Sequence, residues 1–336
     1  MRVIVTGGAG YVGSTLTLLL ASAGHRVVAV DSDELRLRRL SSLSHDSIDL
    51  RTLALDDLVN APSVLSDAQA VIHLAGISSD AAAESDPQRT WRVNVDLAIA
   101  LGEAAKSAGV PKFLLASTVA IYQVPAGHPL EDDVQWESNA PPLPQPIGVY
   151  AQSKLSAERA LTALATPGFT VMVLRKGSLY GYSPVMRWDL VINRMVLAAW
   201  MRRPMILHDF GAIWRPIAHV ADAARAYLHL LELSPSTAPA SSFNLAERNA
   251  RLSEVCLEVD RVARHVLGWG ITLDYGDSPR PQRTGRVDGT ALGALGWQPS
   301  RSLRDGVAEL LRLLDGRKID LTGEMVAGRR PSRGRG

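Results

Sequence analysis

A short β-prone run at the start of the chain leads directly into a glycine repeat. Arg2–Thr6 is apolar, and Gly7, Gly10 and Gly13 follow it at regular spacing. Glycines in these places allow a tight turn, a close approach of the backbone to a pyrophosphate, and packing of a helix against the strand. A helix N-terminus also attracts phosphate, so the order strand, glycine turn, helix predicts a dinucleotide-binding βαβ unit. A glycine-rich turn without a ligand is the alternative.

Short apolar runs then alternate with amphipathic segments. We predict strands at 26–31, 70–75, 112–117 and 169–175, and helices at 14–23, 96–108 and 150–164. This alternation is typical of a parallel sheet with helices on both faces. After about residue 180 the regularity weakens. The predicted fold class is therefore α/β, a Rossmann-type doubly wound parallel sheet with a smaller C-terminal substrate-binding lobe.

Chain length and local composition suggest how these parts are divided. The 336 residues exceed the roughly 250–300 at which a single core stops growing. We expect a dinucleotide-binding domain over 1–175, to which some later segments return, and a substrate lobe mainly over 176–316. A flexible basic tail is predicted over 317–336. Loops are predicted at the Pro-rich stretch 140–146 and at the connection 235–241.

The composition excludes several classes of protein. With 46% hydrophobic and 21% charged residues the chain resembles a soluble globular enzyme, and its net charge of +2 does not favour nucleic acid as a partner. A single cysteine, Cys256, excludes a disulfide framework and a Cys-rich metal site, and the histidines show no ligand spacing. The apolar stretch 195–201 is too short to cross a membrane. We expect a cytoplasmic protein with no leader segment, no bound metal and no membrane contact.

An acidic residue ends the second predicted strand. Asp31 stands close to the position, about 20 residues past the glycine turn, at which an acid binds the adenosine ribose. A carboxylate there accepts bonds from the ribose hydroxyls and repels a 2′-phosphate, which favours NAD over NADP. Arg36, Arg38 and Arg39 follow it. They either form the solvated face of a helix or contact a 2′-phosphate.

A second motif pairs a phenol with an amine. Tyr150 and Lys154 are four residues apart, so on a helix they lie on the same face. A free phenol has a pKa near ~10 and is a poor base at neutral pH. A neighbouring ammonium and the positive nicotinamide ring of NAD⁺ stabilise the phenolate. Together with the strand-ending Ser117 and Thr118, the pair predicts an acid/base centre next to the cofactor.

These motifs together resemble those of extended short-chain dehydrogenases/reductases, in particular the NAD-dependent nucleotide-sugar epimerase/dehydratase family. The segments that carry the resemblance are TGGAGYVG (6–13), LDDL (55–58), HLAG (73–76), RVNV (92–95), Ser117-Thr118, YAQSK (150–154), 174–181, 214–222, 283–288 and 295–300. They extend through most of the chain, and the set is far more specific than any one member.

The resemblance implies a role for each matched residue. The cofactor would be NAD, contacted by Gly7, Gly10, Tyr11, Val12, Gly13, Asp31, Asp56, Leu74, Ala75, Gly76, Asn94, Ser117, Tyr150 and Lys154. Tyr150 would be the base, Lys154 its electrostatic partner, and Thr118 the hydroxyl that binds the reacting sugar oxygen. A nucleotide-diphosphate sugar would be bound by Ser178, Asn193, Arg215 and Arg283. Because guanidinium groups suit phosphates, the two arginines would hold the diphosphate.

The residues after Thr118 limit which reactions of the family this chain could catalyse. Family 4,6-dehydratases commonly carry Asp-Glu there, whereas this chain has Val119 and Ala120, which transfer no protons. Cys256 lies too late to serve as the substrate-side cysteine of a fucose-synthase-like enzyme. Our hypothesis is an epimerase, acting at C4 by transient oxidation to a keto-sugar. The alternatives are an NAD(P)-dependent reductase or dehydrogenase of a keto-sugar or another alcohol, and a non-catalytic NAD-binding regulator.

Departures from the family pattern concern the substrate side. Ser178 replaces a frequent Asn and Gly285 replaces a frequent Tyr, while 186–190 offers other candidate substrate contacts. These changes suggest an unusual sugar or nucleotide, or an alcohol that is not a sugar. By resemblance, helices 96–108 and 150–164 would form the contact of a homodimer.

Overall fold

The computed structural model describes residues 1–43, 45–128, 135–138, 145–234, 240–277 and 282–316. The predicted tail 317–336 lies outside these residues, as do most of the Pro-rich loop 140–146 and residues 235–239 of the predicted connection. Residues 240 and 241 of that connection already belong to a strand.

A seven-stranded parallel sheet forms the centre of the molecule. Its strand order is β12-β8-β5-β4-β1-β2-β3, and every neighbouring pair is parallel. The strands are β1 (Arg2–Thr6), β2 (Arg26–Asp31), β3 (Ile48–Thr52), β4 (Ala70–His73), β5 (Lys112–Thr118), β8 (Thr170–Lys176) and β12 (Ala240–Leu245). The order steps outwards in both directions from β1, as in doubly wound dinucleotide-binding folds. The predicted α/β Rossmann-type fold is confirmed.

Helices cover both faces of this sheet. In chain order the helices of the molecule are α1 (Tyr11–Ser22), α2 (Glu34–Ser41), α3 (Leu55–Val59), α4 (Pro62–Leu65), α5 (Asp80–Ser85), α6 (Pro87–Trp91), α7 (Leu97–Ser107), α8 (Gly148–Ala163), α9 (Val191–Met201), α10 (Val220–Glu232), α11 (Leu252–Leu267), α12 (Thr290–Ala294) and α13 (Leu303–Asp315). Helices α1 and α10 share one hydrophobic cluster with the sheet, and α7 and α8 share another on the opposite side. The central strands are buried on both faces, which explains their nearly continuous apolar sequences.

A smaller body of structure is built from the later segments. Its strands are β9 (Ser178–Tyr180), β10 (Met205–His208), β11 (Trp214–His219), β13 (Arg248–Arg251) and β14 (Leu273–Gly276), arranged as a three-stranded sheet β13-β11-β9 and a pair β10-β14. Helices α9, α11 and α13 enclose a separate hydrophobic cluster that includes Ile192, Val259 and Leu310.

Two short strand pairs connect the late chain to the segment after β5. β6 (Val124–Pro125) pairs with β15 (Arg283–Thr284), and β7 (Gln135–Trp136) pairs with β16 (Arg286–Val287). These pairings bring Arg283 next to the start of α8, the helix that carries Tyr150.

Helix boundaries differ from the predicted ones at two places. Helix α1 begins at Tyr11 rather than at residue 14, because the backbone turns into the helix as soon as Gly10 has capped it. The predicted helix 96–108 continues a longer helical segment, in which a π-helical turn at Arg92–Asp96 joins α6 to α7. Hydrophobic periodicity does not reveal such a turn. Among the described residues, none of the helices combines the length and the apolar character needed to cross a lipid bilayer.

Candidate active site

The glycine loop is closed so tightly that side chains are excluded from it. Gly10 N donates to Gly7 O at 2.9 Å, and Gly7 has φ +67°. A Cβ placed on Gly13 would lie 1.9 Å from Gly7 O, and one on Gly8 would lie 2.8 Å from the Ala29 Cβ. The loop therefore exposes backbone amides at the N-terminus of α1, which is the cradle a pyrophosphate requires.

Asp31 lies beside this loop and is oriented by backbone amides. Its carboxylate accepts from Ala9 N at 3.2 Å and from Asp33 N at 3.1 Å. Arg36 pairs with Asp33 at 3.1 Å, and Arg38 pairs with Glu34 at 2.6 Å. These arginines thus bind acids of their own helical segment, which agrees with a solvated helix face.

The segment after β4 packs directly on the glycine loop. Leu74 N donates to Thr6 O at 3.0 Å, and a Cβ on Gly7 would lie 2.8 Å from Ala75 N. Gly76 has φ +151°, and a Cβ there would lie 2.8 Å from Asn94 Oδ1. Leu74, Ala75 and Gly76 therefore lie at the carboxyl edge of the sheet next to the expected phosphate cradle.

The π-helical turn directs Asn94 into the interior. Its Oδ1 accepts from Ile77 N at 2.8 Å, and its Nδ2 donates to Ile77 O at 3.0 Å and to Ser153 Oγ at 3.1 Å. Asn94 therefore fixes the loop after β4 to α8. Asp56, a predicted cofactor contact, lies in the first turn of α3 and pairs with Arg92 at 2.5 Å.

Helix α8 presents Tyr150 and Lys154 to the carboxyl edge of the sheet. Tyr150 is half-buried and Lys154 is buried. Burial raises the pKa of Tyr150 to about 12, while a hydrogen bond with the Thr118 side chain acts in the opposite direction. Burial lowers the pKa of Lys154 to about 8, and the charge of Glu158 partly offsets this. The structure thus brings Thr118, Tyr150 and Lys154 together, and the phenol needs further positive charge to ionise near neutral pH.

His73 packs beneath the same edge and takes no charge. Its Nδ1 lies 2.7 Å from Thr6 Oγ1. Burial, together with the Lys154 charge, lowers the pKa of His73 to about 3. It is a neutral residue that joins β4 to β1.

A buried ion pair between Glu158 and Arg175 joins helix α8 to strand β8. Glu158, one helical turn beyond Lys154, accepts from Arg175 Nη2 at 2.8 Å, and both side chains are less than one-tenth exposed. Arg175 also bonds to Tyr122 Oη and, at 3.1 Å, to Ser138 O. Ser117 Oγ donates to Glu158. Ser117, predicted to contact the cofactor, is 1% exposed and directs its hydroxyl into this ion-pair network.

Two further predicted residues hold the substrate lobe against α1. Tyr11 Oη donates to Gly181 O at 2.7 Å, and Asn193 Nδ2 donates to Tyr11 Oη at 3.2 Å and to Arg187 O at 3.0 Å. Asn193 Oδ1 accepts from Gly181 N at 3.0 Å. The Asn193 side chain is fully buried and is occupied by protein partners. Asn193 is a predicted substrate contact, and its amide and the Tyr11 phenol form these hydrogen bonds within the protein. Val12 packs against the adjoining hydrophobic cluster.

The substrate-side arginines lie next to one another. Arg215 on β11 donates from Nη1 to the backbone oxygen of Arg283 on β15. Burial, with the charge of Arg283, lowers the pKa of Arg215 to about 10, and the charge of Asp80 raises it. Ser178 lies on β9 opposite Ile217. The structure therefore places Arg215 and Arg283 in direct contact.

Sequence reasoning assigned no role to Asp80 and Lys176, two charged residues close to Tyr150 and Thr118, whereas Arg187 lies in the candidate stretch 186–190. Asp80 and Arg187 both act electrostatically on the phenol, the first raising its pKa and the second lowering it. Arg187 pairs with Asp189 at 2.5 Å and donates to Ser78 Oγ at 2.8 Å. A half-buried lysine at the end of β8, Lys176, lies beside Thr118 in register, and its Nζ is 3.2 Å from the Tyr227 Oη. A charge that ends an apolar strand was the sequence signal for Lys176, whereas Asp80 stands in no recognisable pattern.

A family model describes most of the chain that forms this site. The NAD dependent epimerase/dehydratase family matches residues 3–246. The chain belongs to this family. The predicted resemblance to extended short-chain dehydrogenases/reductases is thereby confirmed, and so are its character as an enzyme and NAD as its cofactor.

Individual relatives are distant but extend over nearly the whole chain. UDP-glucuronic acid decarboxylase 1 of Arabidopsis thaliana is 27% identical over 314 residues, covering 93% of this chain and 69% of that protein. UDP-glucose 4-epimerase of Bacillus subtilis (strain 168) is 26% identical over 337 residues, covering 93% and 96%. Among solved structures, MoeE5 in complex with UDP-glucuronic acid and NAD is 25% identical, with a TM-score of 0.80 and coverage of 95% and 100%.

The glycine cradle provides a direct test of cofactor binding. In Gly13→Ala the new methyl group would meet Gly7 O, so the loop must open. A displacement that costs about 3 kcal/mol corresponds to a roughly 100-fold weaker NAD affinity. Titration of the purified protein with NAD measures this change. Gly168→Ala is the matched control, because a Cβ at Gly168 has no neighbour within 4 Å. Equal NAD affinities in the two variants would contradict the assignment of this loop.

Proposed function

We propose that the protein is an NAD-dependent nucleotide-sugar epimerase that acts at C4. The observation that carries the proposal is the arrangement of Tyr150 one helical turn from Lys154, with Thr118 beside the phenol and no acid in the two residues that follow Thr118. Val119 and Ala120 follow Thr118 and are buried apolar residues. This set of groups suffices to move a proton to and from a carbinol, which is what a 4-epimerase requires of its protein.

Relatives support the substrate class. Several carry the name UDP-glucose 4-epimerase, and others are UDP-glucuronic acid decarboxylases. All of these names specify a UDP-sugar. We therefore propose a nucleotide-diphosphate sugar as substrate, with Arg215, Arg283 and Ser178 on its binding side.

Three residues of the chain carry out the proton transfer. Thr118 orients the sugar hydroxyl, Tyr150 removes its proton, and Lys154 stabilises the resulting phenolate. Bound NAD, held by the glycine loop, would supply the reversible hydride acceptor that this chemistry needs. For inversion at C4 the site must leave the transient keto-sugar room to present its opposite face, and Tyr150 then returns the proton. Asn94 keeps the loop after β4 at a fixed distance from α8 during these steps.

Assembly and location are part of the proposal. Helices α7 and α8 approach closely, since a Cβ on Gly102 would lie 2.3 Å from Leu161 Cδ2. We propose that the exposed sides of these helices form a homodimer, which light scattering during size-exclusion chromatography measures. A cytoplasmic location is proposed from the single, buried Cys256.

A panel of nucleotide sugars tests the proposed function. Purified protein is incubated with each sugar, and the products are separated and identified by NMR. An epimerase converts its substrate without net change in NADH absorbance and keeps its cofactor. A stoichiometric absorbance change with exchangeable cofactor would instead identify a reductase or dehydrogenase. Loss of carbon dioxide from a UDP-uronic acid would identify a decarboxylase.

The Lys154 charge should be visible in the pH dependence of the reaction. The pKa of about 8 means that this amine is protonated, and supports the phenolate, below that pH. In Lys154→Met the phenolate forms only at higher pH. The acidic limb of the kcat/KM profile is therefore expected to move to higher pH by at least about one unit, which lowers kcat/KM at pH 7 by about tenfold. The wild-type decline of kcat/KM above pH 8, where Lys154 loses its proton, should be absent in the variant. Profiles from pH 6 to 10 at saturating NAD measure both effects, and superimposable profiles would rule out this role.

A further inference from the structure

The N-terminus of the catalytic helix is held by an ion pair that involves a substrate-side arginine. Arg283 Nη1 donates to Asp80 Oδ1 at 2.9 Å and to Ile147 O at 2.8 Å, immediately before Gly148 opens α8. Gly148 has φ +84°, and a Cβ there would lie 2.8 Å from Arg283 Nη2. The Arg283 guanidinium is therefore enclosed between α5 and the start of α8.

Asp80 serves two arginines at once. Its charge raises the pKa of Arg215, a half-buried residue whose Nη1 donates to the backbone oxygen of Arg283. Its neighbour Glu84 uses its Oε1 to accept from Val149 N at 3.0 Å, and so caps α8. Asp80 is thus the carboxylate that pairs directly with Arg283, and its charge also acts on Arg215.

The contact of Asp80 is of a kind that a phosphate group can replace. Guanidinium groups bind carboxylates and phosphates through the same planar N–H donors. Asp80 offers one oxygen to one nitrogen, and its side chain is 48% exposed, against 20% for Arg283. It is thus a half-solvated anion bound to a mostly buried cation.

We propose that Asp80 is a specificity-determining residue, which occupies the place of the substrate's diphosphate at Arg283 and competes with it. This inference rests on the proposed function, in which Arg215 and Arg283 receive a diphosphate. A ligand that displaces Asp80 from Arg283 must carry at least as much negative charge as the Asp80 carboxylate. Otherwise the two neighbouring guanidinium groups would lack a counter-ion and repel each other. Asp80 therefore selects diphosphates and disfavours uncharged sugars.

Affinity measurements on an Asp80 variant test the competition. Calorimetric titrations with UDP and with inorganic pyrophosphate are made on wild type, Asp80→Asn and Glu84→Gln. We expect Asp80→Asn to bind both ligands about fivefold to tenfold more tightly, because the competing charge is gone while the amide fills the same space. Glu84→Gln is the matched control on the same helix, and its affinities should stay within twofold of wild type. Asp80→Ser should reproduce the tighter binding if the Asn variant fails to fold.

The other possible binding results either support or overturn the inference about Asp80. Unchanged or weaker binding of pyrophosphate by the Asp80 variants would overturn the inference and show that Asp80 only orients Arg283. If pyrophosphate binds more tightly to the Asp80 variants while UDP does not bind, the inference stands and the substrate carries a nucleotide other than uridine. If wild type binds neither, the arginines are not a diphosphate site and the inference fails, whatever the product assay shows.

Discussion

Replacing Tyr150 by phenylalanine is expected to lower kcat by about 10²–10⁴-fold, the usual contribution of a positioned acid/base. The ring keeps its place on α8 and only the oxygen that moves the proton is lost. Both kcat and kcat/KM should fall by similar factors, because the missing interaction belongs to the transition state. Turnover of the accepted nucleotide sugar by the two purified proteins measures the effect.

Two measurements separate this loss of chemistry from a loss of structure. Affinity for NAD and the unfolding midpoint should stay close to wild type in Tyr150→Phe, since the substitution removes only the phenolic oxygen. Thr118→Val should lower kcat less, because it removes an orienting hydroxyl and not the base. Unchanged function of Tyr150→Phe in the cell would favour the non-catalytic NAD-binding regulator over an enzyme of the proposed kind.

Removing Glu158 is expected to have the largest effect on stability. In Glu158→Ala the guanidinium of Arg175 stays buried without its carboxylate, and a buried ion pair broken on one side typically costs about 3–5 kcal/mol. The Ser117 hydroxyl loses its acceptor as well. Urea unfolding followed by circular dichroism measures the free energy of unfolding.

A double variant shows whether the unpaired charge is the cause. Glu158→Met with Arg175→Met removes both charges and keeps much of the volume, so it should be more stable than Glu158→Ala. If the stability lost in Glu158→Ala arose only from poorer packing of α8, the double variant would be no more stable than Glu158→Ala. A loss below about 1 kcal/mol in Glu158→Ala would contradict the account of this network.

Much of the fold follows from local sequence signals. Strand β1, the glycine turn and α1 are adjacent in the chain, so their spacing alone reports the βαβ unit. Tyr150 and Lys154 are likewise neighbours on one helix. The C-terminal ends of parallel strands meet at one edge, which agrees with the place of Thr118 next to Tyr150 that the family resemblance implies.

Contacts between distant segments could not be predicted in this way. Asn193 carries the right chemistry for a ligand, yet its amide is used by Tyr11, Gly181 and Arg187, and only tertiary structure reveals these partners. The Ser117 hydroxyl likewise bonds to Glu158 from another element, a partner that the local sequence does not indicate. The π-helical turn at Arg92–Asp96 adds a residue to a regular helix without changing its apolar pattern.

The strand pair β6–β15 has a consequence for synthesis of the protein. Arg283 binds the carbonyl before α8 from a position 136 residues later in the chain, and it reaches that carbonyl through its pairing with Pro125. A nascent chain on the ribosome that ends near residue 246 already contains the dinucleotide cradle and Tyr150, but it still lacks this contact. The ribosome must therefore extend the chain past Arg283 before this part of the site can be assembled.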